Sequence, residues 1–252
     1  MGVDLENSFP NLPNCPIVEA VIDIRAVLPT NTGIDELGRF GESLPDLFTE
    51  PPAARQSLQA EIKVDAEGAR MTAPPFVPDG FIFRAPSELL VAQVRLDGFT
   101  LSRLAPYHSG DAFAQRAKDL WERYVAIAHP TKVTRIAVRN VNRIATRPGE
   151  DFQSVILTGP EIARALPQSL LNFFMRLTIP DASGAIATVT ETFGSQEPTD
   201  LSTPIIIDID ASRETDLAAD SDEIWDILNT LRKLKNRIFF NSLTTQALER
   251  YR

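Results

Sequence analysis

The chain contains TRIAVRNVNRI at residues 134–144 and VEAVIDIR at residues 18–25, and apolar and polar side chains alternate along both segments. A period of two residues predicts β-strands that pack one face on a core and turn the other towards water. After each strand the same order of patterns follows: a short helix, three extended segments and a long amphipathic helix. The sequence therefore predicts an internal duplication, with an N-terminal arm at residues 1–16, a first half at residues 17–130 and a second half at residues 131–252.

Each half ends in a long predicted helix, at residues 111–128 and 221–240, because apolar side chains recur there three and four positions apart. Shorter helices are predicted at residues 33–44 and 159–166, the second with a proline near its start, where a missing N–H is tolerated. The remaining predicted strands lie at residues 56–64, 81–85, 89–104, 171–179, 185–193 and 205–210, and Asp97-Gly98 marks a turn within the third of them.

The two halves are joined by residues 129–132 alone, without a flexible linker. Halves so closely coupled more often share one core than behave as independent domains. We therefore expect an α+β fold of two β-α-β-β-β-α halves in one fused body. In it a mainly antiparallel, curved sheet carries two long helices on one face, with a pseudo-two-fold axis between the halves. Helix-grip and TATA-binding-protein-like folds are the nearest templates in shape, and this analogy carries no function.

The composition narrows the class of protein. The chain has 252 residues and a formal net charge of −9. Phosphate backbones repel an acidic protein on average, which disfavours nucleic acid as a partner without excluding it. The single cysteine, Cys15, excludes an internal disulfide. Because neither a signal-peptide pattern nor an apolar run of membrane-spanning length is visible, we expect a soluble cytoplasmic protein with no membrane partner.

Three arginines follow one face of the strand predicted at residues 134–144: Arg135, Arg139 and Arg143. Guanidinium groups in a row repel one another unless an anion or carboxylates neutralise them. One hypothesis is therefore a surface that binds an anionic ligand or a protein partner. The alternative is a structural network of ion pairs with carboxylates on neighbouring strands, for which the candidates are Glu19, Asp23, Asp208 and Asp210.

The candidate binding residues extend beyond this row, since two asparagines occupy the opposite face of the same strand. Arg103 stands five residues before His108, a spacing that resembles the catalytic pair of HEPN-type ribonucleases. In those proteins the pair lies on a helical bundle, whereas Pro106 and the flanking pattern predict a strand and a turn here. The full candidate set is Arg135, Arg139, Arg143, Asn140, Asn142, Arg25 and Arg103.

The carboxylates of the same strands suggest a different chemistry. If the strands that carry them lie side by side, their oxygens are hard ligands suited to Mg²⁺ or Ca²⁺. A metal-dependent hydrolase is therefore an alternative, although the sequence has no ligand spacing of a known loop type. The sequence also lacks a Walker loop, a dinucleotide glycine fingerprint and a serine elbow, so it predicts neither a cofactor nor a catalytic residue. The acids in question are Glu19, Asp23, Asp208 and Asp210.

Several short motifs, taken in order, resemble an uncharacterised, sporadically distributed family of bacterial proteins of about this length. The resemblance runs from Pro16 nearly to the C-terminus and implies a soluble bacterial protein, without assigning an activity or functional residues. The motifs are PIVEA at residues 16–20 with Ile24-Arg25; Phe99 with Arg103-Leu104 and Tyr107; Trp121 with Tyr124; Arg139 with Asn142-Arg143-Ile144; Asp208-Ile209-Asp210; and Leu231-Arg232 with Lys235-Asn236, Phe239-Phe240 and Thr244.

These observations predict a non-enzymatic binding or interaction protein whose ligand surface is the arginine-bearing strand. Nucleic-acid binding through the same strand is the second hypothesis, and metal-dependent hydrolysis by the strand carboxylates is the third.

Overall fold

The computed structural model describes residues 9–10, 12–56, 61–65, 68–72, 77–196 and 202–252. Their strands are β1 (Ile17–Val27), β2 (Ala53–Gln56), β3 (Glu61–Asp65), β4 (Gly68–Thr72), β5 (Pro78–Ala85), β6 (Leu90–Arg95), β7 (Gly98–Leu104), β8 (Lys132–Ile144), β9 (Phe174–Pro180), β10 (Ile186–Phe193) and β11 (Ile205–Leu217). Nine of them form one antiparallel sheet in the order β2-β5-β6-β7-β1-β8-β11-β10-β9, and β3 pairs with β4 in a separate hairpin. The predicted α+β class and mainly antiparallel sheet are confirmed.

Strands β1 and β8 lie side by side at the centre of the sheet and pair antiparallel along nearly their whole length. Ile22 and Ile24 of β1 and Ile136 of β8 are buried in the core, whereas Asp23 and Arg139 alternate with such residues and point to the other face. A shift of one residue would exchange the two faces, so burial of the apolar set specifies the register. The alternation predicted for these two strands is confirmed.

The helices of the same residues are α1 (Ile34–Gly38), α2 (Gly110–Ala128), α3 (Glu223–Ser242) and α4 (Thr245–Leu248). The two long ones, α2 and α3, share a core with one face of the sheet. Trp121 and Tyr124 of α2 stack on each other and pack against Phe99 of β7, and the Trp121 indole donates a hydrogen bond to Ala219 O at 3.0 Å. Both long helices occur within two residues of their predicted ends.

The prediction of short helices is only partly right. The first becomes α1 and a separate 3-10 turn, and residues 159–166 form no helix at all. Leu166 is 58% exposed, so the apolar side chains of that segment have no core to pack on, and a short helix is marginal without such packing. The predicted β-α-β-β-β-α order is therefore wrong in the second half, which lacks its short helix. It is also wrong in the first half, where six described strands, β2 to β7, lie between α1 and α2 in place of three. The 3-10 turns are Gly41–Ser43, Pro86–Glu88, Phe152–Ser154 and Glu249–Tyr251.

Two predicted segments are described only in part. Of the predicted arm, residues 1–8 and 11 lie outside the described residues, and of the strand predicted at residues 56–64, residues 57–60 lie outside them. The strand predicted at residues 205–210 is longer than its apolar core suggests, because β11 continues to Leu217 alongside β8.

The turn predicted at Asp97-Gly98 connects β6 to β7, which pair with each other. Gly98 has a φ of +141°, and a Cβ atom at this position would lie 2.2 Å from the Ile24 carbonyl oxygen of β1. Only glycine fits so close to the neighbouring strand.

None of the described helices is long and apolar enough to cross a membrane.

Candidate functional site

The predicted arginine row lies on the face of the sheet opposite the helices. Arg139 holds Asp208 in a two-point ion pair, with Nε to Oδ1 at 2.7 Å and Nη2 to Oδ2 at 2.6 Å. Arg135 contacts the carboxylates of Asp23 at 3.2 Å and Asp210 at 3.4 Å. All three acids belong to the set expected for a structural network. In this structure, carboxylates of the chain itself neutralise Arg135 and Arg139.

Asp23 is the centre of this network. Its carboxylate also accepts hydrogen bonds from Arg95 at 2.8 Å, from the Thr100 hydroxyl at 2.6 Å and from Arg25 at 3.1 Å. Burial alone would raise the pKa of Asp23, but Arg95 and the other donors outweigh burial and hold the pKa below its ordinary value. Arg25 also pairs with Asp97, so this predicted binding residue is occupied as well.

The remaining candidate residues do not all lie on that face. Arg143 alternates with the core residues of β8 and is half-buried on the arginine side. Arg103 of β7 instead lines a separate depression beside Glu88 on the helix side. Asn140 and Asn142 are buried under the helices, on the face predicted for them. The structure thus divides the predicted binding set between the two faces of the sheet.

The four strand carboxylates do not form a metal site. Asp23 and Asp208 contact guanidinium groups through both carboxylate oxygens, and Asp210 contacts Arg135 through Oδ2 alone, so guanidinium groups already supply the positive charge that a cation would bring. Within the part of the chain that the structure describes, no group of three or more His, Cys, Asp or Glu side chains is arranged to hold a metal ion. The hydrolase hypothesis gains no support from these residues.

A cleft of about 450 Å³ opens on the helix side of the central strands. Its volume lies in the range of about 300–1,000 Å³ that small-molecule sites occupy. The arm contributes one wall, because the Phe9 ring stacks on the Phe240 ring with centroids 4.7 Å apart. The β8 strand, the first residues of α2 and the second half of α3 provide the others. Polar lining residues include Tyr107, His108, Asp111, Asn140, Asn142, Arg232 and Lys235.

Lys235 of α3 places its amine in this cleft, and the residue is 9% exposed. Its Nζ donates a hydrogen bond to Asn236 Oδ1 at 3.0 Å. When the Asn140 amide is oriented to satisfy both of its groups, Nζ also donates to Asn140 Oδ1 at 2.7 Å. No ion pair joins Lys235 to a described carboxylate. Burial, reinforced by the charge of Arg232, lowers the pKa of Lys235 to about 7.

The other charged and titratable groups around the cleft do not compensate Lys235. Arg232 Nη2 pairs with Asp111 Oδ1 at 2.7 Å, so the acid nearest to the first turn of α2 already has a partner. The Cys15 thiol donates to the Tyr107 carbonyl oxygen at 3.1 Å. Burial raises the pKa of Tyr107 to about 12, which keeps its hydroxyl protonated. Lys235 is therefore left without a described carboxylate partner on the cleft wall.

Two asparagines of β8 form the floor of the cleft. Asn142 Nδ2 donates to the carbonyl oxygens of Ile207 at 2.9 Å and Asn140 at 3.3 Å. In the orientation that faces Lys235, Asn140 donates its Nδ2 to the Arg139 carbonyl oxygen at 2.9 Å. Backbone contacts therefore hold both amides, and the Asn140 oxygen is available to orient the Lys235 amine.

A second buried ionisable side chain lies elsewhere on the helix side. Glu191 of β10 is 1% exposed, and neither of its carboxylate oxygens has a hydrogen-bond partner in the part of the chain that the structure describes. Burial raises the pKa of Glu191 to about 7. The carboxyl group is thus close to its titration point at neutral pH, and its protonated form avoids the cost of a buried charge.

Lys235 was not among the candidate binding residues predicted from the sequence, although Lys235-Asn236 is one of the motifs of the family resemblance. A local signal was nevertheless present, because Lys235 falls on the apolar stripe that Leu231, Leu234 and Ile238 define at helical spacing. A charged residue on such a stripe is either buried or at its edge, and the stripe alone does not distinguish these cases.

No protein-family model matches this chain, and no curated protein matches it either.

Proposed function

We propose that this chain is a non-enzymatic binding protein that takes a small anionic molecule into the cleft between the arm, β8 and α3. One observation carries the proposal: the Lys235 amine is buried on the cleft wall, with amide partners and without a described carboxylate. A buried ammonium group without a counterion is unfavourable. A bound carboxylate or phosphate supplies the missing charge through a charge-assisted hydrogen bond.

This proposal moves the ligand from the arginine row to the opposite face of the same strands. An anion that binds at the row has to displace Asp208 from Arg139, or Asp23 and Asp210 from Arg135. The cleft requires no such exchange. Nucleic-acid binding through the row faces the same competition and the net charge of −9. The nucleic-acid hypothesis predicts that the affinity for nucleic acid falls steeply as the salt concentration rises, and an affinity that does not change with salt excludes this hypothesis.

We also propose that the two halves are related by a pseudo-two-fold axis, in the manner of TATA-binding-protein-like or helix-grip folds, and form one fused body. The strand order supports this: β7, β6 and β5 follow β1 on one side of the centre, and β11, β10 and β9 follow β8 on the other. A superposition of residues 17–130 on residues 131–252 that fails to match these strands refutes it. A cytoplasmic location and membership of the bacterial family stay predictions.

The binding proposal is tested with two probes, glycolate and inorganic phosphate, by calorimetry and thermal unfolding. At 100 times its Kd a ligand stabilises the native state by about 2.7 kcal/mol. For a chain of this size that corresponds to a rise in Tm of about 5–10 °C. Because Lys235 has a pKa of about 7, affinity is expected to fall about tenfold per pH unit above that value.

Two variants on the same helix provide the controls. Lys235→Met removes the cation with little change in side-chain volume and abolishes the rise in Tm. Lys233→Met removes an exposed cation two residues away and leaves the rise intact. If neither anion raises the Tm at pH 6, or if Lys235→Met binds as well as the original chain, the proposed function is wrong.

A further inference from the structure

We infer that the ligand of the cleft carries an aldehyde or ketone group and that Lys235 binds it covalently, as an imine. The inference rests on the proposed function and adds the class of ligand: a small oxo acid, in which a carboxylate or phosphate accompanies a reactive carbonyl group.

The surroundings of the Lys235 nitrogen suit a nucleophilic amine. Its hydrogen bonds go to the amide oxygens of Asn236 and Asn140, at 3.0 and 2.7 Å, and both contacts are made by N–H groups of the amine. An amine that has lost one proton retains two N–H groups for these contacts and gains a lone pair. A carboxylate partner would instead hold the third proton, and no described carboxylate pairs with this amine.

The protonation state agrees with this geometry. With a pKa of about 7, Lys235 is about half neutral at pH 7, whereas an exposed lysine is neutral in about one molecule in 2,500. Lysines activated by burial and by a neighbouring cation are known nucleophiles towards carbonyl groups. Both causes act on Lys235, since Arg232 is close enough to lower its pKa further.

The reaction needs no oxidant or reductant. The Lys235 nitrogen attacks the carbonyl carbon, the C=O π electrons move to oxygen, and a carbinolamine forms. The oxygen then leaves as water with the two hydrogens of the amine, and the nitrogen lone pair forms the C=N bond. Hydrolysis reverses the sequence, so the protein binds and releases the ligand without consuming it.

The same cleft offers groups for the other end of an oxo acid. Arg232 and the first residues of α2 line it together with Lys235. Arg232 contacts Asp111 through Nη2 alone, and its other N–H groups are able to donate hydrogen bonds to an anion. His108 and Tyr107 also face the cleft and are able to donate hydrogen bonds to it. One ligand can therefore be held at its carbonyl carbon and at its anionic group.

The test uses glyoxylate as the carbonyl probe and sodium cyanoborohydride as the hydride donor, on the full chain at pH 7. Reduction converts the imine into a stable secondary amine, which leaves one carboxymethyl group on the labelled lysine. The labelled lysine is then identified by peptide mass mapping. The chain has five lysines, Lys63, Lys118, Lys132, Lys233 and Lys235. We expect the label on Lys235, formed at least about 10-fold faster than on the exposed Lys233.

Glycolate separates the inference from the proposed function, because it carries the anionic group but no carbonyl carbon for the amine to attack, so the original chain can bind it without forming an imine. Lys235→Arg cannot form the imine, and the fast labelling at residue 235 is lost. Lys233→Met leaves both properties unchanged. The mapping on the original chain does not depend on how well any variant folds.

Each result decides between the two proposals. Labelling spread over the lysines according to their exposure, or slower at Lys235 than at Lys233, overturns the imine while glycolate binding still upholds the anion cleft. Absence of glycolate binding by the original chain overturns the proposed function itself. Fast labelling of Lys235 that glycolate competes away supports both.

Discussion

The two faces of the sheet differ in whether their buried charged side chains have partners of opposite charge. On the arginine side, Asp23 gathers Arg95, Arg135 and Arg25 around one carboxylate, and Arg139 holds Asp208 at two points. On the helix side, the partners of Lys235 among the described residues are amide oxygens, and Glu191 has no hydrogen-bond partner among them. A network of paired charges stabilises a fold, whereas an uncompensated buried charge costs stability and is a mark of binding or catalytic sites. The comparison supports the proposal that the ligand binds on the helix side.

The largest effect is expected from Asp23→Ala on the arginine side. Arg95 is 3% exposed and would retain only its contact with the more exposed Asp97 at 3.0 Å, while Arg25 and Arg135 would lose one carboxylate partner each. Breaking a buried charge network from one side costs about 3–5 kcal/mol. The loss is measured by urea unfolding.

The matched control on the same face is Asp208→Ala, which removes the partner of the partly exposed Arg139. Equal losses in the two variants would show that Asp23 has no special place in the network.

Next in size is Glu191→Gln on the helix side. The folded-state pKa of Glu191 is raised to about 7, so between its ordinary value and pH 7 the native state binds more protons than the unfolded chain. Stability therefore falls as pH rises through this interval, and above pH 7 the full cost of burying the ionised carboxylate applies. Removing the charge is expected to stabilise the protein by about 2–3 kcal/mol at pH 8 and by about 0 at pH 4.

Urea unfolding at both pH values checks this expectation. The exposed Glu214 serves as the comparison, since Glu214→Gln removes the same charge from a solvated position on β11. A gain from Glu191→Gln that is the same at pH 4 and pH 8 would contradict the charge argument.

Lys235→Met is expected to stabilise the chain in the opposite pH direction. The folded-state pKa of Lys235 is lowered to about 7, so from pH 7 up to the pKa of an exposed lysine the unfolded chain binds more protons. Stability rises with pH there, and the cost of the buried ammonium group is complete below pH 7. After allowance for the lost amide hydrogen bonds, the gain is about 2–3 kcal/mol at pH 6, vanishes at about pH 9 and becomes a loss above that pH. Thermal unfolding across this range measures it, and a gain that grows with pH would refute it.

The smallest effect is expected from Arg139→Ala. Its ion pair with Asp208 is partly exposed, with 46% of the Arg139 side chain accessible. Such pairs contribute about 0–1 kcal/mol. Glycolate binding should be unchanged, because Arg139 contributes only its backbone carbonyl oxygen to the floor of the cleft. If calorimetric titration shows that this variant no longer binds glycolate, the ligand site is the arginine row and not the cleft.

Local patterns were sufficient for the central strands and the long helices. The alternation around Ile22 and Ile136 correctly separates the core face from the face of Asp23 and Arg139, because a strand turns successive side chains to opposite sides. The same reasoning failed at residues 159–166, where apolar side chains at helical spacing predicted a helix but the segment does not pack on the core and is not helical. It also missed the cleft, whose walls come from the arm, β8, α2 and α3.

Which face each side chain takes follows from the sequence by itself, since strand and helix periodicities are properties of the local backbone. Which charges acquire partners was decided only by the tertiary structure. Asp23 meets Arg95 and Arg135 across 72 and 112 residues of chain. The Lys235 amine donates hydrogen bonds to the amide oxygens of Asn236 and Asn140, because the packing of α3 on β8 brings these groups next to it. The physical reason is that an ion pair depends on distances of a few ångströms between elements far apart in sequence, and strand register and packing alone set those distances.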